Sequence, residues 1–231
     1  MTNPVPQRLW LAGATGLIGR EVLDLALQNR CEVHALLRRA APELPNSPHL
    51  HAHQVDFAAP TLGLSSPLPA ADALIICLGT TIKVAGSQEA FRALDFGAVL
   101  AVASAAREAG VSRCAVVSAL GADPASGVFY NRVKGEMEQA LMALNFPQLL
   151  IARPSLLVGD RARLGQPARA GEQWAERLSR PLRGLIPARW RPIAASAVAR
   201  ALWLSVTNES GPRLRILESD QLQALAGTQA C

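Results

Sequence analysis

Residues 8–12 are a short, mostly apolar run that ends at three glycines, Gly13, Gly16 and Gly19, each separated from the next by two residues. Apolar positions then recur at helical spacing over residues 17–28. A strand that turns directly into a helix through Gly-x-x-Gly-x-x-Gly constrains this chain more than any other feature. One glycine makes the tight turn, one lets a ligand approach the backbone, and one lets the helix pack against the strand. The helix start then offers free N–H groups and the positive end of its dipole, which suits a pyrophosphate. Its place after the first strand makes the triplet a dinucleotide site, with Gly13, Thr15, Gly16, Leu17, Ile18 and Gly19 as candidate contacts.

The rest of the chain keeps alternating. Residues 32–37, 49–55, 71–78, 112–118 and 148–152 read as strands, and residues 88–109 and 126–144 as helices. This order predicts an α/β fold: a Rossmann-type, doubly wound parallel sheet with helices on both faces. After Pro154 the texture changes. Residues 159–193 are rich in Gly, Pro, Arg and Trp, with a helix expected at 171–178. A helix over 195–206, a strand over 213–217 and a last helix over 219–226 follow. We read residues 1–231 as one domain, with 155–193 and 207–231 forming a small C-terminal substrate lobe. Half the residues are hydrophobic, enough for a sizeable core.

The end of the second strand discriminates between cofactors. An NAD site usually has a carboxylate there for the ribose 2′-hydroxyl. This chain has Arg38 and Arg39 instead, with no carboxylate before Glu43, and Arg20 adds charge beside the turn. Guanidinium groups suit a 2′-phosphate, so NADP(H) is expected over NAD(H). Asp56, after the third strand, is a candidate for the adenine and equally an ordinary loop aspartate. Leu78, Gly79 and Thr80 end the fourth strand, where small residues let backbone approach a cofactor.

Tyr130 is the sole tyrosine, and Lys134 is one of two lysines, the other being Lys83. Four residues apart on a helix, the two share a face. A cation near a phenol favours the phenolate, and such a tyrosine can exchange a proton with a carbonyl or alcohol while a nicotinamide exchanges hydride. The lysine can also hold the nicotinamide ribose. Ser118, at the end of the fifth strand, is the candidate for polarising the substrate oxygen. Ser126 competes for that role and is equally suited to cap the following helix.

The segments GATGLIG, CLGTTIKVAGSQEAF, VVSALGAD and YNRVKGEMEQAL together resemble the atypical, extended short-chain dehydrogenase/reductase family. The nearest subgroup is the Tat-interacting-protein-like NADPH-binding proteins and their bacterial relatives, over roughly residues 8–206. The resemblance implies a Rossmann fold with a small substrate lobe, and Ser118, Tyr130 and Lys134 in the catalytic positions. It also places Arg153 and Pro154 near the nicotinamide. Many extended members carry several serines after the fifth strand, whereas Ala119 and Leu120 follow Ser118 here. Relatives of this architecture often dimerise through Rossmann-layer helices, which makes a homodimer an open expectation.

Other classes fare less well. The net charge of +5 and pI near 9.6 come from scattered arginines, densest at 177–191, without interleaved aromatics. We therefore expect a small-molecule substrate and no nucleic-acid partner; an RNA-binding use of 177–191 would show as salt-dependent affinity. Cys31, Cys77, Cys114 and Cys231 lie far apart without a CxxC pair, a reduced pattern. With no apolar signal core and no membrane-length apolar stretch, this gives an expectation of a cytoplasmic protein without a membrane partner. His49, His51 and His53 alternate as a strand face would, but no further ligand completes a metal site, and none is expected. Trp174, Trp190 and Trp203 are expected to pack the small lobe, with Trp174 and Trp190 also candidates for lining a substrate pocket. Two functional readings lead: an NADP(H)-dependent oxidoreductase, and a non-catalytic protein that senses NADP(H).

Overall fold

The computed structural model describes residues 6–64, 67–159 and 187–228. Seven strands form one sheet in the order β3-β2-β1-β4-β5-β6-β9, and every neighbouring pair is parallel. They are β1 (Arg8–Ala12), β2 (Glu32–Leu37), β3 (Leu50–Gln54), β4 (Ala73–Ile76), β5 (Arg113–Val117), β6 (Gln148–Arg153) and β9 (Leu214–Glu218). The small strands β7 (Leu157–Val158) and β8 (Ile193–Ala194) pair with each other. The strand order reverses between β1 and β4, and ligands of open α/β sheets settle outside the strand ends at such a point.

The apolar alternation of the strands splits the core in two. Leu9, Leu11, Ala73, Ile75, Ala115 and Leu150 face one layer, formed by α1 (Leu17–Gln28), α6 (Ala195–Thr207) and α7 (Ser219–Gly227). Trp10, Ala12, Leu74, Ile76, Cys114 and Ile151 face the other, formed by α4 (Val99–Glu108), α5 (Phe129–Ala143) and the segment around Leu62 and Leu68. Strands covered on both faces must be apolar at nearly every position, as β4 and β5 are.

Three expected elements shift. The helix expected over 88–109 is interrupted. After α2 (Ile82–Ala85) come α3 (Gln88–Arg92), a π-helical turn at Ala93–Ala98, and α4. A π turn inserts a residue and rotates the side chains that follow, and it carries Asp95 inward, where it is 1 % exposed. Helix α5 begins at Phe129 rather than 126. The stretch before it is a turn in which Asp123 Oδ1 accepts from the Ala125 amide and Ser126 Oγ from the Val128 amide. Ser126 is therefore a turn residue, and Val128 occupies the N-cap. Strand β9, grouped in the sequence with a small lobe, extends the main sheet beside β6. The helix expected at 171–178, Trp174, and the arginines at 177, 180 and 183 lie outside the described residues.

The histidine alternation has a structural use at the sheet edge. Buried His34 places Nδ1 2.8 Å from His53 Nε2 and Nε2 3.2 Å from Glu32 Oε1, and its ring stacks on His51. Burial holds the His34 pKa below the ordinary histidine value, and hydrogen bonding to Arg8 lowers that of Glu32. Among the described residues no group of three or more His, Cys, Asp or Glu is arranged to hold a metal.

Candidate functional site

Gly13 adopts φ +89°, and a Cβ there would lie 2.6 Å from the Cys77 carbonyl oxygen. A Cβ on Gly19 would lie 2.0 Å from the Gly13 oxygen, so these two glycines exist for the turn itself. Gly16 is less crowded, with the nearest atom at 3.3 Å, and it faces the cleft. It caps α1 without any side chain, and α1 carries no acidic residue in its first turn. The helix N-terminus is thus open to an anion.

A cleft of about 850 Å³ runs over the ends of β1, β4, β5 and β6. That is within the range of cofactor and substrate sites. Gly16, Leu17 and Ile18 line one side and Leu78, Gly79 and Thr80 the floor; Ser118, Tyr130, Lys134 and Pro154 complete the wall. Of the residues singled out in the sequence, these ten and Trp190 meet in one space. Gly13, Thr15 and Gly19 form the turn behind it. Arg38 and Arg39 are exposed just past the end of β2, and Asp56 is exposed just past β3. Asp56 Oδ1 accepts from the Ala58 amide, an Asx turn, and Arg20 donates to the Glu43 carbonyl, tying the loop after β2 to α1.

Two buried carboxylates organise the wall, and neither was singled out in the sequence. Asp95 Oδ1 lies 2.7 Å from Lys134 Nζ, with both side chains no more than 3 % exposed, and Asp95 Oδ2 accepts the Thr80 amide at 2.9 Å. One carboxylate thus joins the floor to α5. Glu138, 2 % exposed, accepts from Ser118 Oγ at 2.5 Å and from the Arg153 guanidinium through both oxygens. The Ser118 hydroxyl proton is committed to Glu138. The Arg153 side chain is likewise committed there, with its pKa raised by that hydrogen bond, and it does not line the cleft. The Tyr130 ring packs against Phe91, with centroids 5.3 Å apart, which steadies its position over the cleft.

Residues 13–156, covering this turn, floor and wall, match the model of a family described as NAD(P)H-binding. The chain belongs to the NAD(P)H-binding family. It is 33 % identical over 206 residues to Protein FMP52, mitochondrial, of Lodderomyces elongisporus, covering 83 % of each chain. It is 38 % identical over 156 residues to the protein of that name from Eremothecium gossypii, covering 65 % of this chain and 66 % of the relative. Two solved structures share the fold at 16 % identity and TM-score 0.68, each over 95 % of this chain. They are Bordetella bronchiseptica WbmH in complex with NAD+, covered over 79 % of its length, and Thermotoga maritima UDP-glucose 4-epimerase with UDP-glucose, covered over 81 %.

The FMP52 relatives overturn the expectation of a cytoplasmic protein, since they are named mitochondrial. The inference failed for a physical reason. Absence of an apolar signal core speaks only against secretion, whereas mitochondrial targeting segments are amphipathic and arginine-rich and show no such core.

Burial pushes the Cys31 thiol up to about 12 and also raises those of Cys77 and Cys114, so none of the three supplies a thiolate near neutral pH. Glu138 had a readable signal: Tyr130, Lys134 and Glu138 recur every four residues along one face of α5. Asp95 had a fainter one, as a carboxylate in a mostly apolar helical stretch.

Proposed function

We propose that the protein is an NADP(H)-dependent oxidoreductase that moves hydride between the nicotinamide and a carbonyl or alcohol. The observation that carries this is that Tyr130 and Lys134 line the same cleft as Gly16, Leu17 and Ile18. A cofactor with its pyrophosphate at the start of α1 would bring its nicotinamide end toward them. Tyr130 then serves as the acid/base, and Lys134, held by Asp95, steadies the nicotinamide ribose. The resemblance to the short-chain dehydrogenase/reductase family supports the same roles for Tyr130 and Lys134, while its Tat-interacting-protein-like subgroup also includes cofactor-binding regulators. The test is NADPH consumption with a panel of aldehydes and ketones; tight cofactor binding with no turnover of any of them refutes the oxidoreductase reading.

The preference for NADP(H) rests on Arg38 and Arg39, exposed just past a β2 that has no carboxylate at its C-terminal end. Charge-assisted hydrogen bonds contribute about 1.5–3 kcal/mol each. Replacing both arginines by alanine is expected to raise the NADPH dissociation constant by roughly 10²- to 10⁴-fold if each makes one such bond and to leave that of NADH within about twofold. Equal loss for both cofactors in equilibrium titrations would remove the 2′-phosphate assignment.

One observation favours the second reading, a protein that senses NADP(H) without turning it over. The Ser118 proton is bound to Glu138 and is not offered to a substrate oxygen. On the oxidoreductase reading Ser118 is then dispensable as a donor. Ser118→Ala should lower stability by about 1.5–3 kcal/mol, as for a lost hydrogen bond to a charge. Turnover should stay within about threefold of wild type, far less than the loss expected for a proton-transferring group. A hundredfold fall in kcat with unchanged melting would return Ser118 to the catalytic role.

A further inference from the structure

We infer that the substrate end of the cleft takes an uncharged, apolar aldehyde, ketone or alcohol and discriminates against anions. This rests on the oxidoreductase reading above and deepens it.

Six large hydrophobic residues are exposed among the described residues, and three of them line this one cleft: Val84 at 71 %, Trp190 at 52 % and Leu156 at 45 %. Leu120 and Leu157 line it as well. They come from separate segments: α2, the turn after β5, the start of β7 with the residue before it, and the 3₁₀ turn before β8. Scattered exposed hydrophobes need no explanation, but a cluster at the mouth of a ligand cleft marks an apolar ligand. The charges point the same way. Among the described residues, the lining contains one cation, Lys134, and one anion, Asp95, and they are paired with each other at 2.7 Å. A carboxylate or phosphate entering there would lose its hydration without gaining an unpaired counter-charge from this lining. Arg189 lies on the rim outside the lining, its guanidinium 5.6 Å from the centroid of the Trp190 ring, where it orients the indole.

In the reductive direction, bound NADPH would supply the hydride to the carbonyl carbon while Tyr130 donates its hydroxyl proton to the carbonyl oxygen. The products are the alcohol and NADP+, and Tyr130 regains its proton from solvent. The alkyl or aryl group of the substrate lies against Val84, Leu156 and Trp190.

The test is calorimetric titration of the NADPH-loaded protein with octanamide, octanoate and acetamide at pH 7.5. Octanamide keeps a neutral carbonyl, octanoate adds the charge at equal length, and acetamide removes the chain. Octanamide should bind at least about tenfold more tightly than either. Trp190→Ala, a change at an exposed position, should weaken octanamide about tenfold without altering NADPH affinity. Octanoate binding as well as octanamide, no binding of octanamide, or an unchanged octanamide affinity in Trp190→Ala would overturn the inference. Octanamide selectivity without turnover of any carbonyl would leave the substrate class standing and refute only the oxidoreductase reading.

Discussion

Tyr130→Phe is expected to lower kcat for carbonyl reduction by about 10²–10⁴-fold, the contribution typical of a positioned general acid or base. The substitution removes one oxygen and keeps the ring. Packing of that ring against Phe91 at 5.3 Å survives, so the fold and the cofactor site should survive with it. NADPH affinity should stay within about threefold, because the lost hydroxyl is asked to act on the substrate and not to hold the cofactor. Other groups in the wall are committed elsewhere: the Ser118 proton goes to Glu138, and Lys134 is paired to Asp95. Stopped-flow traces of NADPH oxidation give the comparison directly. Turnover in the phenylalanine variant within tenfold of wild type would assign the proton transfer to another group.

The second large effect is on the fold around the cleft. Asp95→Asn should destabilise the protein by about 3–5 kcal/mol, the usual consequence of removing one partner of a buried ion pair. The amide can still accept from the Thr80 backbone N–H, but it leaves the Lys134 ammonium, 3 % exposed, without its counter-charge. At about 2–4 °C per kcal/mol for a chain of this size, Tm should fall by roughly 6–20 °C. Removing both charges is predicted to be milder. Asp95→Asn with Lys134→Met should recover most of the loss, since a buried pair replaced whole is often near neutral. A full double-mutant cycle by thermal melting measures the coupling. Independent, additive losses would mean that the 2.7 Å contact contributes little and that Lys134 is held by packing alone.

The parts of the molecule that could be read from the sequence share one physical property: they depend on neighbours close along the chain. The glycine turn is such a case, because steric exclusion at Gly13 and Gly19 acts within the strand–turn–helix unit and against the adjacent β4. Strand and helix order is another, since periodicity and punctuation are local, and it was enough for the parallel sheet. Tyr130 and Lys134 share a helix face by spacing alone. Where propensity was asked about geometry it cannot encode, it missed. The π turn at Ala93–Ala98 leaves no mark in the apolar pattern, and a continuous helix was the natural reading.

By itself, then, the sequence determined a dinucleotide turn at the start of a Rossmann sheet and a tyrosine–lysine pair on one helix. Tertiary structure decided what those groups touch. Asp95 reaches Lys134 from the π turn across to a different helix, and Ser118, just past β5, meets Glu138 of α5. Strand β9 joined the main sheet, where its backbone N–H and C=O groups pair with β6. Long-range pairings of buried charge and backbone are set by the whole packing of the chain, and no local pattern of residue types carries them.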